Sequence, residues 1–203
     1  MTNREIESFI KKNIIGYVGP NIIQKGSYIL LHPFDDLLGG FCFERSASDK
    51  NSIYIWWFVQ PLFIPGSIIH LTFGNRLENL HRNQSWENLD LMENIEKIRE
   101  IIQKTIPLIK TLTDSPSFYD HYDGHPLENL RIDEALVYTR IWIESTNYMD
   151  KIKNLISDID NKFDGSIPWI KTIKEDMINL SLSENPRSIL ADNKKNLIEL
   201  LNL

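Results

Sequence analysis

The rhythm of hydrophobic and polar positions changes along the chain. Between residues 53 and 73 the run IYIWWFVQPLFIPGSIIHLTF is almost unbroken and rich in aromatic and β-branched side chains, the types that suit a pleated surface. Alternation places Ile53, Ile55, Trp57 and Val59 on one face and Tyr54, Trp56, Phe58 and Gln60 on the other. Neither face is polar. The pattern therefore predicts a central strand covered on both sides, or one whose aromatic face is kept for a ligand. The first fits better, because exposed apolar patches of that size are uncommon in soluble monomers. Pro61 and Pro65 cannot donate a ladder hydrogen bond and mark strand ends. Pro65-Gly66 signals a turn, and 68–73 then reads as another strand closed by Gly74.

Upstream, Ile6, Phe9, Ile10 and Ile14 recur at helical spacing, so 3–15 predicts an amphipathic helix capped by Thr2 or Asn3. Residues 28–31 and 41–45 predict two strands, and the polar stretch 46–52 predicts a hairpin loop. Four strands in sequence with short connections suggest an antiparallel meander. From Ser85 onward the period lengthens. Leu91, Ile95, Ile98, Ile102 and Ile106 define a helix, and Pro107 is expected to kink it before a final turn through Leu112. Residues 113–126, TDSPSFYDHYDGHP, read as a polar and aromatic linker. Helical patterns return at 130–143 and 148–159. A third helix is expected after Ser166 as cap, with Pro168 in its first turn, and a last one after Asn185-Pro186.

The fold class expected is α+β: an antiparallel meander of about four strands packed by helices, with a C-terminal all-helical layer. The organisation expected is a sheet region over 1–112, a linker over 113–126 and a helical region over 127–203, packed on the first as one unit.

Composition narrows the function classes. The chain has 203 residues and a formal net charge of −6 with both signs interspersed. No Lys/Arg stripe suggests nucleic acid as a partner. The single cysteine, Cys42, excludes an internal disulfide and suits a reducing compartment. No apolar run reaches the ~18 residues of a membrane span, and the charged N-terminal stretch does not read as a secretion signal. The expectation is a soluble cytoplasmic protein with no membrane or nucleic-acid partner.

Candidate chemistry is sparse. Tyr119, Asp120, His121, Tyr122, Asp123 and His125 form the densest polar cluster. Its acids and histidines could serve as metal ligands or as an acid–base pair, but no second group at a metal spacing supports them. No metal and no cofactor is therefore expected. His70 reads as a hydrogen-bonded structural histidine. Arg76, His81 and Arg82 could form a small basic patch for a carboxylate or phosphate, although Glu78 or Glu87 is the expected partner of Arg76. Cys42, between Phe41 and Phe43, reads as an inert core thiol. No nucleophile elbow or phosphate-binding glycine loop is present. The candidate binding residues are Trp56, Arg76, His81, Tyr119, His121 and His125.

The stretch FVQPLFIPGSIIHLTFGNRL, then SW and a helix ending IIQKTIPLIK, resembles uncharacterised bacterial α+β domains in which a Gly-x-Arg-Leu turn ends a sheet. The C-terminal run DEALVYTRIWIEST through NPRSILADNKKNLIELLNL is similar to their helical tails. The resemblance implies helices on a sheet and no activity. Some such domains are similar to immunity proteins of bacterial toxin systems, which act by binding. Two functions are thus in view. One is a non-enzymatic protein-binding module, immunity-type or regulatory. The other is an enzyme or small-molecule-binding domain with a pocket near Arg76, His81 and the His121/His125 segment.

Overall fold

The computed structural model describes residues 2–47, 49, 51–79, 81–87, 89, 92–124, 129–143 and 146–203. Its architecture is α+β, an N-terminal antiparallel meander sheet with packed helices followed by an all-helical region. The chain divides into two compact units, 1–60 with 70–114 and 61–69 with 115–203.

The first unit begins with α1 (Asn3–Asn13). A reciprocal capping box starts it: Glu5 N–H donates to the Thr2 hydroxyl at 3.3 Å, and Thr2 N–H donates to the Glu5 carboxylate at 2.6 Å. After the single turn α2 (Ile15–Val18) come β1 (Ile22–Lys25), β2 (Tyr28–Leu31), β3 (Leu37–Arg45), β4 (Ile53–Pro61), β5 (Gly74–Arg76) and β6 (Ser85–Trp86). The first five lie side by side in sequence order, and β6 also pairs with β4. Thus β5 and β6 share the edge of β4 that β3 leaves open. Trp56 stands opposite Arg76, and Ile53 opposite Trp86.

Helix α3 (Met92–Leu112) buries Ile95, Ile98, Ile102, Ile109 and Leu112 and packs on β3. Gly39 permits the close approach. A Cβ there would lie 2.4 Å from Ile109 Cγ2 and 2.9 Å from Thr113 Cγ2. Phe43 lies on the same face of β3 as Gly39, and its ring meets Phe9 of α1 at 6.4 Å. The opposite face carries Tyr28, whose ring meets Phe58 edge-on at 6.0 Å, and Glu44, which accepts a hydrogen bond from Trp56. By alternation Ile53, Ile55, Trp57 and Val59 face the α1/α3 side, and all four are buried. Along the other face Phe58 is buried, whereas Tyr54 and Trp56 are half-buried.

Some details depart from the sequence reading. Residues 68–73 form turns and coil instead of a strand, and β5 is only the three residues that follow. Val59 N–H reaches Phe73 O at 2.8 Å, while His70 N–H is taken by the Gln60 side chain at 2.6 Å, so the segment near β4 makes isolated bonds and no ladder. The apolar residues of 61–69 have another use. Phe63, in the second unit, stacks on Trp142 with centroids 4.9 Å apart, and its carbonyl accepts from Asn193 Nδ2 at 3.3 Å. Strand β1 lies outside the strands the sequence pattern predicts. As expected, α3 continues past Pro107 to Leu112, and the Pro107 carbonyl accepts from Thr111 Oγ1 at 3.1 Å.

The second unit contains α4 (Ser115–Tyr122), α5 (Leu130–Trp142), α6 (Tyr148–Lys162), α7 (Pro168–Leu182) and α8 (Pro186–Leu201). Residues 115–122 are therefore helix and not linker. Phe118, Tyr119 and Tyr122 bury one side of it, enough apolar area to order the segment. Helix α5 is buried nearly all round and packs against α4, α6 and α8. Asn185 caps α8, accepting from Ser188 N–H at 3.2 Å, with Pro186 in the first turn. Ser166 does not cap α7. The cap position is Ile167, which has no side-chain cap, and Ser166 N–H bonds Asp164 instead. No helix among the described residues is long and apolar enough to cross a membrane.

Truncating Trp57 to Ala should lower unfolding free energy by about 3–5 kcal/mol, since it empties a buried aromatic site on the α1/α3 side. Trp56→Ala, at a half-buried position, should cost distinctly less. Urea titrations of both variants check the order, and a Trp57→Ala protein as stable as wild type would contradict the strand's assigned faces.

Candidate functional site

The site is assembled on the shared edge of β4. Pairing of β5 with β4 brings the Arg76 side chain over the outward rings of Tyr54 and Trp56. Its Cζ lies 3.7 Å from the Tyr54 centroid and 4.6 Å from that of Trp56. Trp56 is fixed in turn, because its indole N–H donates to Glu44 Oε2 at 2.9 Å. Arg76 forms no ion pair with Glu78 or Glu87, contrary to expectation, and makes no hydrogen bond through its side chain among the described residues. The register explains this: across the strands the guanidinium meets aromatic faces, and a planar delocalised cation stacks well there. Its Nε is buried without a partner.

The chain between β5 and β6 forms the rim. Leu77 N–H extends the pairing to Ile55 O at 2.7 Å, and buried Trp86 donates its indole N–H to Leu77 O at 3.0 Å. These bonds clamp both ends of the loop. Asn79 organises its interior. Its side-chain oxygen accepts from His81 N–H at 2.8 Å and Asn83 N–H at 3.0 Å, and its Nδ2 donates to Ser85 O at 2.7 Å. Arg82 sits at φ 60°, a left-handed conformation uncommon for a side chain of this kind. Glu93 and Asn94, in the first turn of α3, complete the walls, with Asn94 Nδ2 donating to Glu87 O at 2.9 Å.

Between these parts lies an open cleft of about 820 Å³. Tyr54, Arg76, His81 and Arg82 line it together with Glu78, Glu87 and Glu93. The structure thus brings Arg76 and His81 to one cleft, with Trp56 against Arg76. The walls come wholly from the first unit. Tyr119 and His121 belong to α4 of the second unit, and His125 lies outside the described residues. Tyr119 is buried with the Arg140 guanidinium 4.1 Å from its ring centroid, while His121 is exposed with its ring edge-on to Tyr122. Among the described residues, no group of three His, Cys, Asp or Glu side chains is placed to hold a metal ion. Cys42 is buried, and desolvation pushes its thiol up to about 11.

Sequence reasoning missed a buried acid in the second unit. Glu134, on α5, is buried and bonds Arg131 Nη1 at 2.7 Å. The Arg131 guanidinium lies over Trp169 of α7, 4.9 Å from its ring centroid. Burial pushes the Glu134 carboxyl up to about 7, against the opposing pull of Arg131, and nearby Asp176 adds to the rise. The available signal was a Glu three residues after an Arg inside the apolar run of a helix with no polar face.

The cleft's groups can meet anions through the stacked guanidinium, cations through carboxylates and a backbone through carboxamides. No family model, no curated protein and no solved structure matches this chain.

Glu134 makes a pH prediction. A carboxyl whose folded pKa is raised favours the folded state in its protonated form. Its contribution is complete below the ordinary value of 4.5 and is lost as pH rises to about 7. Stability should therefore fall across that interval by up to ~1.4 kcal/mol per pH unit from this group. Glu134→Gln should remove that slope. Chemical denaturation of both proteins at several pH values checks it, and identical slopes would count against the assignment.

Proposed function

We propose that this protein is a non-enzymatic binding module for another protein, of the immunity or regulatory type, and that the cleft beside Trp56 and Arg76 is its contact surface. One observation carries the reading. The half-buried guanidinium of Arg76, which lines the open cleft together with Tyr54, stacks on the rings of both Tyr54 and half-buried Trp56. These three residue types dominate the energetics of protein interfaces, because each offers a large, rigid contact area with a polar end. The polar, mixed-charge rim around them suits the margin of such an interface. The resemblance to uncharacterised bacterial α+β domains, some of them similar to immunity proteins that act by binding, is in keeping with this reading.

A second reading, a small-molecule-binding or enzymatic domain, draws support from the cleft volume, which falls in the range of ligand pockets. Its lining weighs against this. Small-molecule sites are mostly apolar with a few placed polar groups, whereas this one is bordered largely by charged and carboxamide side chains.

Wild-type protein should capture a stoichiometric partner from its source lysate, and a Trp56→Ala/Arg76→Ala variant should lose it. Loss of two such anchors should weaken binding at least about thirtyfold, about 2 kcal/mol or more. The variant's circular dichroism spectrum and melting curve establish that it is folded. A copurifying metabolite with no protein partner would favour the second reading and sink the first.

A further inference from the structure

The cleft holds charges of both signs that do not pair with each other. Arg76, Arg82, Glu78, Glu87 and Glu93 all line it, and none of the five forms an ion pair among the described residues. On other parts of the surface some neighbouring charges pair. Glu100 bridges Lys97 and Lys104, Lys151 meets Asp123 at 2.8 Å, and Lys162 meets Asp158 at 3.1 Å. Five uncompensated charges around one cleft form a pattern that a ligand of complementary pattern can meet.

The anchor of that pattern is Arg76. Two rings hold its guanidinium in place, so little side-chain freedom remains to be lost on binding. Its Nε is buried, which leaves the two Nη atoms as the end a ligand can reach. That pair of parallel donors matches one planar carboxylate. A phosphate dianion fits less well, because the three glutamates of the lining would repel its second charge. The same glutamates favour a cation beside the bound carboxylate. Asn83 and Gln84, exposed on the rim, present carboxamides suited to a peptide backbone.

We propose that the cleft binds an acidic side chain of a partner protein on the Nη end of Arg76, with a lysine or arginine flanking it in the partner received by the cleft glutamates. This rests on the protein-binding reading above and specifies its chemistry. The binding is a reversible ion pair with hydrogen bonds, and no covalent step is involved.

The test follows the side-chain N–H resonances of Arg76 and the backbone amides of 79–85 in ¹⁵N-labelled full-length protein. Four probes are titrated: the capped peptide Gly-Lys-Glu-Lys-Gly, the same peptide with Gln for Glu, glutarate and inorganic phosphate. The Glu peptide should shift these resonances at a midpoint at least fivefold lower than the other three. Arg76→Lys, which keeps the charge and the strand but loses the planar fork, should raise that midpoint about tenfold. Equal binding of the Glu and Gln peptides would overturn the proposal. So would a response to glutarate or phosphate as strong as to the peptide, which would assign the site to a free small anion, or no response to any probe. The two readings can fail separately: a captured protein partner that binds wild type and Arg76→Lys equally would remove the carboxylate anchor yet leave the protein-binding reading intact.

Discussion

Strand β4 offers no polar face, so both of its sides need cover, and the first unit is built around that need. On one side Ile53, Ile55, Trp57 and Val59 lie against the layer made by α1 and α3. Helix α3 comes down to the sheet backbone because Gly39 has no side chain to hold Ile109 away. On the other side the burial is graded. Phe58 is closed off beside Tyr28, but two residues earlier Trp56 and then Tyr54 emerge half-covered. Aromatic surface that is neither core nor fully solvated is what gives the cleft its platform. The short strands β5 and β6 follow from the same constraint. Each satisfies a few backbone groups on the open edge of β4, and the loop between them becomes the rim.

Much of this fold was legible in the chain. The helices announced themselves through apolar positions at helical spacing and through caps whose chemistry is local, such as Thr2 with Glu5 and Asn185 with Pro186. The β4 core strand was legible because its composition leaves few alternatives. What misled was periodicity without context. Residues 68–73 alternate as a strand would, yet the apolar side chains just before them serve a helical unit, as Phe63 on Trp142 illustrates. The polar look of 113–126 hid a helix whose signal was the spacing of Phe118, Tyr119 and Tyr122. Strand β1 carries no two-residue alternation, since three of its four residues are half-buried and Ile23 is exposed.

The site was legible only in part. Arg76, His81 and Trp56 could be named from residue type and nearness to the strand end. The stacking of Arg76 on Tyr54 and Trp56 could not, because it depends on a pairing register set across an intervening stretch that leaves the sheet. Nor could periodicity separate the two candidate clusters, which proved to belong to different units. Tyr119 went largely into the packing of α4, its ring under Arg140.

The contrast between Arg76 and Glu134 shows how the surroundings decide what a charge can do. Glu134 is buried, and burial favours its neutral form, so its contact with Arg131, one turn away on the same helix, is closed off within the second unit. Arg76 sits where water still reaches the end of its fork. An ion pair with an exposed glutamate there would contribute only about 0–1 kcal/mol. Stacking against aromatic faces contributes ~0.5–1 kcal/mol at an exposed site and up to ~2 kcal/mol when more desolvated, and here there are two such faces. The stack therefore holds its own against the ion pair, and it does so without using the guanidinium's outer hydrogen bonds. A cation fixed by its faces keeps its edge free, which is the condition for meeting an anion from outside the chain.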